Sequence, residues 1–335
     1  MITAVVAALA LGGQKLAPIM DFPKCLEPGI EVKVLVLNFD PKTEAEGRTV
    51  RETLGYNDPR PLADQYMADV NLASGGYIKF KVIEWRDLDA FPPKKDGFIY
   101  TPTSYLSAQK GETKWHDPDG ADYEKILDAN GVAKLVDEKT IDEVWLFGGP
   151  YFGFWESAMA GPRSFEINGG VYDKFASKRP FAIMGFNYER GVAEMVHDLA
   201  HRTEATMARI CGGWDQNRLD TPWAKFAASE KRSGGFAGVG SCHWPPNAEK
   251  EYDYDNLRIV WSNADGWMNF PKVDKEPKPV SRENWGGPDF QRNYLKWWFA
   301  RLPKAPGEND KRQNNWWKYV FSFDSYDTSG RPVKR

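Results

Sequence analysis

The stretch DEVWLFGG (142–149) constrains the fold more than any other part of the chain. Val144, Trp145, Leu146 and Phe147 follow one another without a polar residue, so both faces of an extended segment there need cover. Such a strand belongs in the middle of a sheet with other layers on either side. EVKVLVLNF (31–39) and YIKFKVIEW (77–85) are β-rich runs of strand length, and RPFAIMGF (179–186) is a fourth, shorter one. Between them lie helical patterns. PLADQYMADVNLASGG ends in a Gly-Gly stop, and DYEKILDANGVAKLVDE is expected to break near Asn130-Gly131. Residues 86–120, rich in Pro, Gly and Asp, read as a long surface excursion. The expected class is α/β (α+β), a mixed sheet with packed helices in the order β-α-β-α-β-β-α.

After residue 212 the periodicity fades. Segments such as GGWDQN, SCHWPPN, EYDYDN and ENWGGPDF mix Trp, Pro, Gly and Asn. Short helices are expected at 221–230 and 288–300. The division implied is a possible signal-like segment 1–20, an α/β domain 21–212 and a loop-rich, Trp-rich part 213–335. The 14 tryptophans of the chain suit either a rigid aromatic core or a surface that stacks on sugars.

Charge excludes one class of partner. With 44 basic and 47 acidic residues the net charge is −3, and no basic face for nucleic acid is expected. The apolar start, MITAVVAALALGGQK, has the small-residue character of an export signal, which makes a secreted protein the expectation. It is too short to span a bilayer. The cysteines, Cys25, Cys211 and Cys242, contain no CxxC pair. Either Cys211 and Cys242 form a disulfide or all three are free thiols.

The chemistry centres on MVHDLAHRTEAT (195–206). On a helix, Val192, Val196, Leu199, Thr203, Met207 and Ile210 form one apolar stripe. His197, His201 and Glu204 fall on another, roughly 150° away. Histidines four apart on one face can share a metal ion, and two of the chain's four histidines are here. His243, in a Gly/Pro-bounded loop, is the expected third ligand, with Glu204 as a competitor. His116 is expected at the surface. Upstream, FGGPYFGFWESAMAGP (147–162) follows the end of a strand, where α/β sheets place ligand sites, and it carries Glu156. Its glycines are expected to bring Trp155 and Glu156 to the histidine face.

HDLAH resembles the HExxH helix of the zincin metallopeptidases, and the preceding order of elements is similar to the N-terminal zincin subdomain. The resemblance is loose over 30–210 and tight over five residues. It implies that His197 and His201 bind zinc and that Asp198, one methylene shorter, stands where the family has its general-base Glu. On this reading the function is metal-assisted hydrolysis of a peptide bond, with Asp198, Glu204 or Glu156 as the base. Two rival readings come from the residues themselves. The first is a non-enzymatic carbohydrate-binding or extracellular structural protein, in which the tryptophans of ENWGG, LKWWFA and NNWWKY stack on a glycan. The second is a glycoside hydrolase using paired carboxylates such as Glu156 and Glu194.

Overall fold

The computed structural model describes residues 20–43, 47–215 and 217–333. The apolar N-terminal segment therefore lies outside the described residues. In chain order the first elements are β1 (Ile30–Phe39), α1 (Val50–Leu54), α2 (Pro59–Ala73), β2 (Ile78–Leu88), α3 (Pro102–Gln109), α4 (Tyr123–Ala129), α5 (Val132–Asp137) and β3 (Glu143–Gly148). They are followed by β4 (Ser157–Ala160), β5 (Val171–Tyr172), β6 (Phe181–Asn187), α6 (Val192–Ile210) and α7 (Pro222–Phe226). The last are β7 (Val260–Ser262), β8 (Lys278–Val280), α8 (Phe290–Arg301), β9 (Lys304–Asn309), β10 (Arg312–Asn315) and α9 (Trp317–Phe321).

Six strands form one mixed sheet in the order β2-β1-β3-β6-β4-β5. Strand β1 runs parallel to β2 and β3, and β3 parallel to β6, while β4 is antiparallel to β6. The class is mixed α/β, and β3 is central, with every residue buried. Its alternation separates two cores. Trp145 and Phe147, with Val32, Val34 and Val36, face a layer built from α2, α6 and α8. Val144 and Leu146, with Leu35, Leu37 and Phe39, face α4 and α5. A fully apolar strand is stable only where both sides are covered in this way.

Helix α6 lies on the first face through Val196, Leu199 and Met207, with Leu199 fully buried. Arg202, also fully buried, donates to Glu143 Oε1 of β3 at 2.6 Å and to the Val320 carbonyl of α9 at 2.8 Å. The pair needs both partners: removing one leaves a buried charge, the costliest form of the loss.

Several expectations are corrected. Residues 147–162 are not wholly loop, because Ser157–Ala160 pairs with β6 as a buried strand. That strand is four residues long and shows no alternation, so only its neighbours define it. The excursion 86–120 contains α3 and buries Phe91, Tyr100 and Tyr105, with Lys94 buried and bonded to Asp119 and the Tyr151 carbonyl. Trp285, Trp297, Trp298, Trp316 and Trp317 are all buried, so the three Trp motifs form core and offer no face to a glycan. The expected helix 221–230 shortens to Pro222–Phe226. Residues on both sides of position 212 contribute to a single core.

Candidate metal centre

Three elements build the site. Helix α6 supplies His197, Asp198, His201 and Glu204. The loop before β4 supplies Glu156, and the loop 238–244 supplies Cys242 and His243.

The last loop has no regular structure of its own, yet its backbone is anchored at several points. Trp298 Nε1 donates to the Gly240 carbonyl at 2.8 Å, and Tyr294 Oη donates to the Ser241 carbonyl at 2.8 Å. Tyr254 Oη donates to the Cys242 carbonyl at 2.9 Å. Buried Trp and Tyr each bring one polar atom that needs a partner, and here the loop provides it. Gly240, at φ +90°, has no room for a side chain, since a Cβ would meet the Trp244 carbonyl oxygen at 2.4 Å.

The result is convergence. His201 Nε2 lies 3.0 Å from His243 Nε2, which lies 3.4 Å from His197 Nε2. Nitrogens about 2.0–2.1 Å from one tetrahedral ion stand about 3.3 Å apart, so these donors fit a single small cation. Ligand atoms from His197, His201, Cys242 and His243 all lie within 4.8 Å of one another, and this group can hold a metal ion.

Glu204 is placed behind the site. Its Oε2 accepts from His201 Nδ1 at 2.9 Å, and its Oε1 accepts the Cys242 backbone N–H at 2.6 Å. With Nδ1 donating to Glu204, the Nε2 lone pair of His201 is directed at the ion position. Both oxygens are thereby engaged, one by the His201 ring and one by the backbone of the loop that carries His243. The Cys211–Cys242 disulfide is also absent: all three cysteines are free, and Cys242 is buried beside His197.

Burial and neighbouring charges shift the groups of the site in different directions. Burial, reinforced by His201 and His243, pushes His197 down to about 3. Burial and His201 also lower His243. For His201 burial acts the same way, but the hydrogen bond and charge of Glu204, with the charge of Glu156, outweigh it and raise the pKa. Burial holds the Asp198 carboxyl well above the usual range, with Glu156 and Glu194 adding to the effect.

A cleft of about 530 Å³ opens beside His197. Asp198 and Glu156 line it, with Glu194, Arg190 and Tyr252. Gly185 of β6 makes this possible: a Cβ there would meet the Trp155 carbonyl oxygen at 2.2 Å, so only glycine lets the chain carrying Glu156 cross β6. Trp155 is not part of the cleft wall; it is half exposed and lies against Gly169. His116 stands apart, paired with Asp96 at 2.7 Å and stacked on Phe98.

Sequence reasoning missed Tyr252, whose ring lies 4.3 Å from that of His243, and the role of Cys242 beside His197. The adjacency of Cys242 to His243 was the available signal for the second. No family model matches the chain, and no curated protein sequence does. A solved chain described as "Structure of a chaperone-substrate complex" shares 11% identity at a TM-score of 0.26, over 52% of this chain and 23% of that one. A likeness at that score carries no argument about fold or function.

Proposed function

We propose that His197, His201 and His243 bind one zinc ion and that the chain is a zincin-like metal-dependent peptide hydrolase. The observation that carries this reading is the convergence of three Nε2 atoms at 3.0 and 3.4 Å beside an open cleft. The alternation of strands and helices from β1 to β3, upstream of α6, supports it as well. Imidazole nitrogens with a position left for a small ligand are the donor set of catalytic zinc sites. A zinc ion in such a site supplies Lewis acidity toward a carbonyl and toward water.

The chain's own residues divide the remaining work. Glu204 fixes the ring of His201. Asp198, on the cleft wall next to His197, is the nearest carboxyl in sequence to the ligands, and its raised pKa suits a group that both takes and returns a proton. Glu156 faces the same cleft from the loop before β4 and takes a hydrogen bond from Asn168. Export from the cell belongs to the same proposal and rests on the apolar N-terminal segment.

Metal analysis of protein purified without a histidine tag tests the reading. One zinc per chain, lost in His201→Ala and kept in Asp198→Ala, is the expected result. A chain that takes up no metal from zinc-supplemented buffer overturns it. Hydrolysis of a mixed peptide library by the zinc-loaded protein, absent in Asp198→Ala, tests the second half.

A further inference from the structure

Cys242 occupies a singular position. Its side chain is fully buried, and its Sγ lies 3.3 Å from His197 Nδ1 and 3.8 Å from the His197 carbonyl oxygen. Nδ1 is the ring nitrogen that does not face His243; Nε2 does. The sulfur therefore meets the His197 nitrogen other than the one that converges with His243, while it still lies within 4.8 Å of the remaining ligand atoms of the group. The backbone N–H of the same residue donates to the Glu204 carboxylate that holds His201, and the next residue is His243. One residue thus touches His197 itself and the carboxylate behind His201, and is covalently joined to His243.

A neutral imidazole carries one N–H. A thiol donating to Nδ1 would leave that proton on Nε2, pointing into the position of the ion. The His197 carbonyl offers the S–H a different acceptor, which leaves the sulfur free to accept. We propose that Cys242 is a positioning residue. Its thiol donates to the His197 carbonyl and accepts the His197 Nδ1–H, fixing the tautomer whose Nε2 lone pair meets the metal. The inference rests on the metal reading above. It also makes the two helix ligands unequal. A carboxylate behind His201 raises the basicity of that ring, whereas an uncharged sulfur behind His197 orients the ring without adding charge.

Zinc affinity is measured by chelator competition for the wild-type chain, Cys242→Ala and Cys242→Ser. Cys242→Ala is expected to weaken zinc about 10–100-fold, the usual cost of losing an outer partner of a ligating histidine. Cys242→Ser, whose hydroxyl donates and accepts, should recover most of that loss. Nitrogen-15 NMR of the zinc-loaded wild type should show His197 protonated at Nδ1, and the cobalt-loaded wild type should show no thiolate-to-cobalt charge-transfer band. Unchanged zinc affinity in Cys242→Ala would reduce the residue to core filling. A charge-transfer band lost in Cys242→Ser would make it a ligand, and a proton on His197 Nε2 would reverse the assignment. Each of these overturns the inference while leaving zinc binding intact. A wild type that binds no zinc sinks both this inference and the metal reading. Should Cys242→Ala fail to fold, the wild-type spectra decide.

Discussion

The two halves of the site come from regions organised in opposite ways. Residues 30–210 are strands and helices whose apolar pattern matches their period, and they deliver His197 and His201 on a regular helix. Residues 213–333 have little such pattern, and they deliver His243 on a loop. Yet the loop is as firmly placed as the helix, because buried Tyr254, Tyr294 and Trp298 each spend their polar atom on its carbonyls. Regular hydrogen bonding is therefore only one way to satisfy a buried backbone; aromatic side chains with a single donor are another.

The most severe way to break the comparison is to remove the irregular region's ligand. His243→Ala should abolish stoichiometric zinc binding while far-UV circular dichroism stays that of the wild type; retained zinc would show that the helix pair suffices. Next in size is the core of that region. Trp298→Ala should cost about 3–5 kcal/mol in denaturant unfolding, and Leu199→Ala about 2–5 kcal/mol. Comparable values would put the irregular region on an equal footing, and a Trp298→Ala cost near zero would show that its order is not held by aromatic burial. Smaller again is Glu204→Gln, expected to weaken zinc about 10–100-fold with unfolding little changed.

Acid should distinguish the two helix histidines. In the metal-free protein His197 titrates at about 3 when folded and near its ordinary value when unfolded. Between those values the unfolded chain binds the extra proton, so stability falls as pH is lowered through that window. His201 has the opposite sign. Its raised folded pKa contributes stability below its unfolded value, and that contribution is lost as pH rises through the folded one. His197→Asn should flatten the acid side of the stability profile, and an unaltered profile would contradict the burial of that ring. The smallest effect is expected at Trp261, a large exposed side chain on β7, where replacement by Ala should change stability by less than about 0.5 kcal/mol.

Much of the first region was legible because its strands and helices carry their own period. The runs 31–39, 77–85 and 142–149 share one sheet, and the break at Asn130-Gly131 separates α4 from α5. Ser157–Ala160 was hidden because a four-residue strand inside a Gly-rich stretch is defined by its neighbours alone. The packing of the second region was not legible, since no local pattern says that Trp298 reaches Gly240, 58 residues away. At the site, the histidines could be picked out by rarity and spacing. The engagement of Glu204 by Cys242, and of Cys242 by His197, depends on contacts 38 and 45 residues apart that no spacing rule encodes.

The buried Arg202–Glu143 pair sits one residue beyond His201. A helix packed on a sheet by apolar contacts alone can settle in neighbouring settings about one turn, or 5.4 Å, apart. Only one setting gives the Arg202 guanidinium its carboxylate, so the pair acts as an indexing pin that rejects the others before any ion arrives. The histidines are then aimed by the fold and not by the cation. Such a chain would mature in two stages, folding first and loading later, and its metal could be exchanged without the protein having to fold again.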